Sequence, residues 1–357
     1  MKEWHETAAI ARSLRDALGA GEAVALCTVV AIDGSAYRRP GAKLLVGPTI
    51  PGRGGLSGGC LEADAREVAL EALDTGQARI RRYETGEDTV WALGLGCDGT
   101  VEVFVQPVNP GQTAVWKRVA ELLQGEDAFV LATVVSGPAT GQSVVIHGGR
   151  VSSATGVEGV DEQLIPLARD RLADRRSRLV DVDQCTVFFD VLLPPPRLVI
   201  VGAGDDAMPL AQAAAAVGFR VTVIDHRPTQ LAAERFPESA HLVQAAPEDD
   251  AGTLALDREC FAVVMNHALV RDRAWIRTLL ASPVSYIGVL GPRARIDKIL
   301  QEFPRDTSDR VFGPVGLDVG ANGPEQIAVS ILAEILAVRA GRTPQHLRER
   351  RGPIHGG

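Results

Sequence analysis

The chain has 357 residues, of which 46% are hydrophobic, and its formal net charge is −8. The length suggests two domains, and the acidic balance argues against a nucleic-acid-binding surface. No apolar run approaches the ~18 residues that a membrane span requires, and the N-terminus lacks the apolar core of a signal peptide. The five cysteines are scattered without a Cys-x-x-Cys pair. That pattern speaks against a zinc cage or a disulfide framework and fits a reducing cytoplasm.

Residues 1–193 predict an α/β domain with a mixed sheet. Apolar residues first recur at helical spacing, and buried, β-branched runs follow. The expected elements are a helix over 4–18, strands over 24–32, 44–46 and 78–83, and a strand over 100–105 that Pro107 ends.

This domain also suggests an internal repeat. The stretch Gly21–Val30 resembles Gly125–Val135, and each copy is preceded by a helical stretch. Short strand-rich patterns also recur by chance, so the duplication stays a hypothesis. The second copy has no Ser-Gly-Gly-Cys and no Arg-Arg-Pro-Gly, and we therefore assign the chemistry to the first copy.

A glycine-rich stretch from Arg53 to Glu62 leads into Cys60. The spacing after Cys60 predicts a helix, so this cysteine lies where a loop becomes a helix. Free N–H groups of a first helical turn favour an anion, and they therefore favour thiolate over thiol. The alternative is a tight turn that ends in a small residue. We predict that Cys60 is the most reactive of the five cysteines.

Two more loops extend this candidate site. One contains the small residues Gly34 and Ser35, followed by the cations Arg38, Arg39 and Lys43. Such cations suit phosphate or oxo anions, and we expect these three to face the same cavity as Cys60. The other contains Cys97 between glycines, which suggests a backbone that approaches something closely. We predict that Cys97 lies within ~10 Å of Cys60 without a disulfide. The alternative is a small buried residue in a tight loop.

Residues 194–196 are three prolines, which favour a stiff extended connector. Residues 197–341 then predict a Rossmann-like, doubly wound parallel sheet with a C-terminal helix, followed by a polar tail over 342–357. The diagnostic stretch is Gly202-Ala-Gly204-Asp-Asp-Ala207, which has a strand before it, a helix after it and Asp225 about 20 residues on.

Within that stretch each glycine has an expected role. Gly202 would make the tight turn, and Gly204 would let a phosphate approach. Asp205 and Asp206 lie where a pyrophosphate favours N–H groups and no negative charge. Their alternative role is to cap the following helix.

Three basic side chains follow later strands of the predicted sheet. His267, Arg293 and Arg295 lie at carboxyl ends of strands, where ligands of such sheets bind. The alternatives are a loop histidine and a solvated basic turn.

These motifs, in this order, resemble the XdhC/CoxI family, whose members are accessory proteins of molybdenum hydroxylases such as xanthine dehydrogenase and carbon monoxide dehydrogenase. The matching segments span nearly the whole chain: residues 34–35 with 38–43, 56–62, 94–97, 202–204, 225–228 and 313–320. Two departures fall in the Rossmann half. Many members have His-Val at Asp205–Asp206, and many have threonine before His267 and a second histidine soon after it.

The resemblance implies a cytoplasmic accessory protein rather than a turnover enzyme. It would bind the molybdenum cofactor, a molybdopterin with or without a nucleotide, support its sulfuration with a cysteine desulfurase and insert it into an apo-hydroxylase. Cys60 would be the metal ligand and, with Cys97 and His267, a catalytic residue. The cofactor contacts would come from Gly34, Ser35, Arg38, Arg39, Lys43, Ser57, Gly58, Gly59, Glu62, Gly202, Gly204, Asp225 and Arg293. We also expect a homodimer.

Two other functions remain open from the residues alone. The Rossmann half and Asp225 support an NAD(P)-dependent oxidoreductase, although no proton relay beyond His267 is apparent. The second alternative is a non-enzymatic nucleotide-sensing or assembly module in which Cys60 is structural.

Overall fold

The computed structural model describes residues 2–34, 36–50, 52–84, 99–152, 155–157, 160–247, 254, 256–303 and 309–351. The chain divides into two compact units, one from Lys2 to Pro194 and one from Pro195 onward. Among the helices of these ranges, none is both long and apolar enough to cross a lipid bilayer.

The N-terminal unit combines helices with two antiparallel sheets. The helices are α1 (Lys2–Gly19), α2 (Glu62–Thr75), α3 (Thr113–Leu122) and α4 (Val160–Asp174). The strands of the first sheet are β1 (Val24–Gly34), β2 (Lys43–Val46), β3 (Arg53–Gly54), β4 (Arg79–Glu84) and β5 (Gly99–Val108). Those of the second are β6 (Phe129–Ser136), β7 (Ser143–His147), β8 (Arg150–Val151), β9 (Arg178–Val182) and β10 (Cys185–Leu192).

The two sheets have the same strand order and equivalent registers. The first runs β3-β2-β1-β5-β4 and the second runs β8-β7-β6-β10-β9. A register shift follows Val29 in β1 and Val134 in β6, and these residues are 134 − 29 = 105 positions apart. The same spacing separates Ala23 from Ala128, the residues that align in the two sequence copies. The two halves of the unit therefore share one topology.

Alternation along β1 separates the two faces of the first sheet. Ala25, Cys27 and Val29 pack in a cluster with α2, which covers the outer face. Leu26 and Thr28 point the other way and share a small cavity with residues of β6 and β10. Because side chains alternate along a strand, the two sheets face each other and the helices α2 and α4 lie outside.

Pro107 does not end β5, contrary to the sequence expectation. The strand continues to Val108, and Pro107 pairs with Ala25 of β1. On the other side the pairing with β4 stops at Val105. Proline lacks an amide donor and is tolerated where one side of a strand is unpaired, which is the case here.

The C-terminal unit is a Rossmann fold. Its elements are β11 (Arg197–Val201), α5 (Ala207–Ala216), β12 (Arg220–Asp225), β13 (His241–Gln244), β14 (Cys260–Val264), α6 (Leu269–Ala281), β15 (Tyr286–Val289), α7 (Arg293–Leu300), β16 (Val311–Phe312) and α8 (Pro324–Arg339). The parallel strands are ordered β13-β12-β11-β14-β15-β16. This 3-2-1-4-5-6 order confirms the predicted fold class and puts the switch point between β11 and β14.

Candidate functional site

The Cys60 loop is held by Ser57 and Glu62. The Ser57 hydroxyl accepts hydrogen bonds from the amides of Gly59, Cys60 and Leu61 at 3.1, 3.0 and 3.2 Å. It donates its own proton to Glu62 Oε2 at 2.7 Å. The other Glu62 oxygen accepts from the amides of Leu56 and Ser57 at 3.0 and 2.9 Å. Residues 56–62 therefore form one hydrogen-bonded unit at the start of α2.

Glu62 is ionised within this unit. Its burial opposes ionisation, but the hydrogen bonds from the Ser57 hydroxyl and from the Ser57 and Leu56 amides outweigh that cost and lower the pKa of Glu62. The same bonds change the expected chemistry of the loop. The Cys60 amide donates to the Ser57 hydroxyl. Part of the N–H groups that we expected to bind an anion therefore already have a partner within the loop. Glu62 thus acts in the structure as a loop brace, and its role as a cofactor contact stays a prediction.

Cys60 differs from the other described cysteines in exposure. It is half-buried, whereas Cys27, Cys185 and Cys260 are buried. Burial raises the pKa of the Cys27 thiol to about 12 and that of Cys260 to about 11. A side chain added at Gly58 or Gly59 would meet no atom within 4 Å, so there is open space beside Cys60. The loop therefore presents one accessible thiol.

Two of the three cations of the neighbouring loop are paired with acids of other elements. Arg38 forms an ion pair of 2.6 Å with Glu6 of α1. Lys43 is buried and is ion-paired with Asp190 of β10. Leu44, the next residue along β2, packs in the α2 cluster, so alternation turns Lys43 to the opposite face of the sheet. This corrects the expectation that Lys43 faces Cys60. Arg39 is exposed.

The loop that carries these cations nevertheless adjoins the Cys60 loop. Ala36 packs against the cluster that contains Leu56 and Leu61. Gly34, which was assigned to the cofactor site, pairs with Gly99 at the start of β5. Ser35 and Cys97 lie outside the described residues, so their expected roles stay predictions.

In the Rossmann half the glycine turn has the predicted form. Gly202 has a φ of 107°, and a Cβ there would lie 2.7 Å from the Met265 carbonyl oxygen, so only glycine fits where the loops after β11 and β14 cross. A side chain at Gly204 would meet nothing within 4 Å, which leaves room for a ligand. Ala207 is fully buried under the sheet. The turn could thus accommodate a phosphate sterically.

The two aspartates of the turn are not helix caps. Asp206 occupies the N-cap of α5 but makes no side-chain capping bond. Its Oδ2 lies 3.1 Å from His267 Nε2. Asp205 instead pairs with Arg235 at 2.8 Å. Both carboxylates therefore face partners from other segments, and the turn carries negative charge where a pyrophosphate favours N–H groups.

His267 itself is held at the carboxyl end of β14 in the left-handed region, with a φ of 59°. The buried Asp272 accepts from the amide and the side chain of Asn266 at 3.3 and 3.2 Å and pairs with Arg295. Arg295 also donates to the His267 carbonyl oxygen at 3.4 Å. The network fixes the loop, so Arg295 contributes by positioning His267. Arg293 donates to the Gly313 carbonyl oxygen at 3.1 Å.

Asp225, the acid that ends β12, has its hydrogen-bond and ion-pair partners within the C-terminal unit. It accepts from the Ala203 amide at 2.8 Å, and Arg227 pairs with it at 3.0 Å. Burial opposes its ionisation, but the Arg227 side chain and the Ala203 and Arg227 amides outweigh that cost and lower the pKa of Asp225 to about 2. In this arrangement Asp225 braces the glycine turn.

Sequence reasoning missed the roles of two buried acids. Asp190 lies in the apolar run Phe188-Phe-Asp-Val-Leu192, and a charge inside such a run signals a buried partner. Asp272 gave no such signal, because it occupies an ordinary position near the start of a helix.

Comparison with known proteins gives matches over both units. Residues 17–84 match the XdhC and CoxI family, and residues 198–335 match the XdhC Rossmann domain. A Bacillus subtilis protein, named as a probable subunit of xanthine dehydrogenase, is 30% identical, and the alignment covers 89% of this chain and 94% of the relative. The Escherichia coli molybdenum cofactor insertion chaperone PaoD is 24% identical, with 92% and 88% covered.

A solved structure agrees with these matches. The crystal structure of a xanthine dehydrogenase from Bacillus halodurans superposes with a TM-score of 0.74 at 29% identity. The match covers 93% of this chain and 96% of the solved chain. The likeness therefore extends over both units and is not confined to the Rossmann fold.

Proposed function

Because the chain belongs to the XdhC and CoxI family, we propose that it binds the molybdenum cofactor as cargo and hands it to a molybdenum hydroxylase. The observation that carries the proposal is the half-buried Cys60, presented by a braced loop with open space at Gly58 and Gly59. The relative named as a molybdenum cofactor insertion chaperone supports it. The chain would act as an accessory protein rather than as a turnover enzyme.

The donor set of the loop fits such a cargo. Sulfur is a soft ligand that suits a molybdenum centre, and a cysteine also carries sulfur as a persulfide. The bound cofactor would supply the metal, the dithiolene and a terminal phosphate. Ser57 and Glu62 hold the loop, so the position of Cys60 is fixed before the cargo arrives. Preorganisation of this kind lowers the ordering cost of binding.

Sulfuration and the partners form the finer part of the proposal. Cys60 would receive or host the sulfur delivered by a cysteine desulfurase, with Cys97 as its assistant. The apo-hydroxylase would take the finished cofactor from a homodimer of this chain, in the cytoplasm.

A second function, NAD(P) binding, is favoured by one observation and opposed by another. The strand order and the open Gly204 are those of a dinucleotide-binding fold. The carboxylates of Asp205 and Asp206 oppose a pyrophosphate at the same turn. We expect NADH to bind more weakly than micromolar in a fluorescence titration. Micromolar binding would favour the oxidoreductase.

The experiment that tests the proposed function is purification of the full chain from molybdenum-replete cells under anaerobic conditions. Pterin and molybdenum released from the protein are then quantified per chain. We expect both to copurify, and we expect the metal to be absent when the cells are grown without molybdate. A chain that carries neither pterin nor metal in replete cells would contradict the proposal.

A further inference from the structure

The shared topology of the two sheets allows one surface of the N-terminal unit to be compared with its own counterpart. The loop before β2 is closed by a hydrogen bond from the Gly41 amide to β1, and the loop before β7 is closed by the same bond from the Gly141 amide to β6, each at 2.8 Å. Arg39 and Ala139 occupy equivalent positions in these loops, because each carbonyl oxygen accepts from the amide three residues on.

The turns that follow α2 and α4 are equivalent as well. Arg79 begins β4 and Arg178 begins β9, and the two strands pair in the same register with their neighbours. Three residues earlier, Gly76 and Arg175 both have a left-handed backbone, with φ values of 68° and 57°. Glycine adopts this conformation at the end of a helix without strain, whereas arginine does not. Backbone strain persists where the side chain is needed, which points to a role for Arg175.

The loop of each sheet meets the turn of the other sheet. A Cβ at Gly41 would lie 3.7 Å from the Ser177 hydroxyl oxygen, which belongs to the turn after α4. A Cβ at Gly141 would lie 3.9 Å from the side chain of Ala78, which belongs to the turn after α2. The two loop–turn pairs therefore form two equivalent surfaces of one unit.

These two surfaces differ in charge. One, which we call the arginine surface, consists of exposed side chains: Tyr37, Arg39, Arg175, Arg176 and Arg178. The equivalent positions form the counterpart surface: Gly137, Ala139, Gly76, Gln77 and Arg79. Arg79 is paired with Glu71 at 3.0 Å. The architecture does not require the cluster of arginines, because the counterpart surface is built without it.

The side chains of the arginine surface are those that dominate protein–protein contacts. Tyrosine and arginine are enriched among the residues that contribute most to binding, and Tyr37 is 75% exposed. A positive surface on a chain of formal net charge −8 also steers an acidic partner. Ala36, the neighbour of Tyr37, packs against the cluster that contains Leu56 and Leu61 of the Cys60 loop. A protein bound here would lie beside that loop.

We propose that the arginine surface docks an acidic surface of the apo-hydroxylase. The inference rests on the proposed function, which supplies this partner, and it adds the surface and the chemistry of recognition. Single-stranded nucleic acid also stacks on tyrosine and pairs with arginine, but the negative charge of the whole chain opposes it.

Biolayer interferometry of the full chain against each molybdenum apo-hydroxylase of the source organism tests the inference. We expect the parent to bind one of them, with an affinity that falls as salt is added. Arg175→Gly combined with Arg176→Gln brings in the residue types of the counterpart surface, and we expect roughly tenfold weaker binding. Glycine also suits the left-handed position, so this variant should fold, which urea unfolding checks. Tyr37→Ser should weaken binding as well and alters only an exposed side chain.

The matched control is Gln77→Glu combined with Arg79→Gln. It changes the net charge by the same amount as the double arginine variant, but on the counterpart surface. We expect the affinity of this control for the hydroxylase to equal that of the parent. An equal loss of affinity in both double variants would mean that net charge alone drives binding, and it would overturn the inference.

Other results would also overturn the inference. They are parent-like binding by the double arginine variant and by Tyr37→Ser, no binding of the parent to any apo-hydroxylase, and arginine-dependent binding of a single-stranded oligonucleotide in place of the hydroxylase. A chain that copurifies with cofactor but docks without the arginine surface would refute the inference and leave the proposed function standing. A chain that docks through the arginine surface but carries no cofactor would refute only the proposed function.

Discussion

Lys43 of the first sheet and Asp190 of the second form a buried ion pair between the two halves of the N-terminal unit. Their side chains are 2% and 5% exposed. The Lys43 ammonium also donates to the Gly41 carbonyl oxygen at 2.8 Å, and Asp190 accepts from the Ser177 hydroxyl at 3.2 Å. By strand register, Ser143 of the second sheet is the equivalent of Lys43, and Gln106 of the first sheet is the equivalent of Asp190. These two equivalent residues are uncharged, so the repeat does not duplicate the ion pair.

We expect Asp190→Asn to destabilise the N-terminal unit by ~3–5 kcal/mol, because it leaves the Lys43 ammonium buried without its counter-charge. Urea unfolding followed by tryptophan fluorescence measures the loss. Asp127→Asn is the control, since Asp127 is 76% exposed in its pair with His147, and it should change stability by less than ~0.5 kcal/mol. Equal losses in the free energy of unfolding for the two variants would contradict a special contribution of the buried pair to stability.

A double replacement separates the charge from the space it fills. In Lys43→Met with Asp190→Leu both charges are gone and apolar volume remains. We expect it to recover most of the stability lost in Asp190→Asn, because hydrophobic replacement of a buried ion pair is often neutral or stabilising.

Cys60 should be alkylated first when the native chain is treated with iodoacetamide at neutral pH and mapped by peptide mass spectrometry. Cys27 and Cys260 are buried, and burial raises the pKa of their thiols to about 12 and about 11. Cys185 is buried as well, and its thiol donates to the Pro138 carbonyl oxygen at 3.3 Å. In denaturant all five cysteines should label. Faster native labelling of Cys27 or Cys185 would remove Cys60 from the site.

Cys97 should be within reach of Cys60. Gly99 starts β5 opposite Gly34, and the loop after Gly34 packs through Ala36 beside the Cys60 loop. We expect a short bifunctional maleimide to link the two cysteines within one chain. Cys60→Ser should abolish that crosslink. Modification of both thiols by separate reagent molecules, without a crosslink, would place them too far apart to cooperate.

Asp225 should make part of the stability of the Rossmann unit acid-sensitive. Its pKa in the folded chain is lowered to about 2, below the ~4 expected in the unfolded chain, so its ionisation stabilises the fold above ~pH 4 and this contribution declines as the pH falls toward 2. We expect Asp225→Asn to cost ~1–3 kcal/mol at pH 7 and roughly half as much at pH 3, where the carboxylate is still largely ionised in the folded chain. The comparison variant is Asp205→Asn, whose side chain is 93% exposed. A cost for Asp225→Asn that is the same at both pH values would contradict this account.

The sequence predicted the elements well where local patterns determine them. The Rossmann half was readable because continuous apolar strands and the turn at Gly202 each signal that fold. The extent of β5 was misjudged, because only the register with β1 shows that Pro107 lies beside an unpaired edge. Lys43 was misplaced for a related reason. Its partner, Asp190, is 147 residues away in sequence, and only the packing of two sheets brings them together.

The braces of the candidate site were also hidden from the sequence. Ser57 and Glu62 were assigned to the cofactor, yet their described hydrogen bonds serve the loop itself. Asp206 was expected either to cap α5 or to meet a pyrophosphate, and it meets His267 instead. Such partners come from other segments of the chain, so residue spacing along one segment does not reveal them.

The most direct test of the central claim is delivery by a Cys60→Ser variant. The described hydrogen bond of Cys60 runs through its backbone amide to Ser57, so serine should leave the loop intact. Parent, Cys60→Ser and a Cys185→Ser control are loaded with molybdenum cofactor and mixed with an apo-hydroxylase and a cysteine desulfurase, and the hydroxylase activity gained is measured. We predict that the hydroxylase activity gained with Cys60→Ser is at least about tenfold lower than with the parent, equivalent to ~1.4 kcal/mol. The activity gained with Cys185→Ser should match the parent. Full activation by Cys60→Ser would contradict the account.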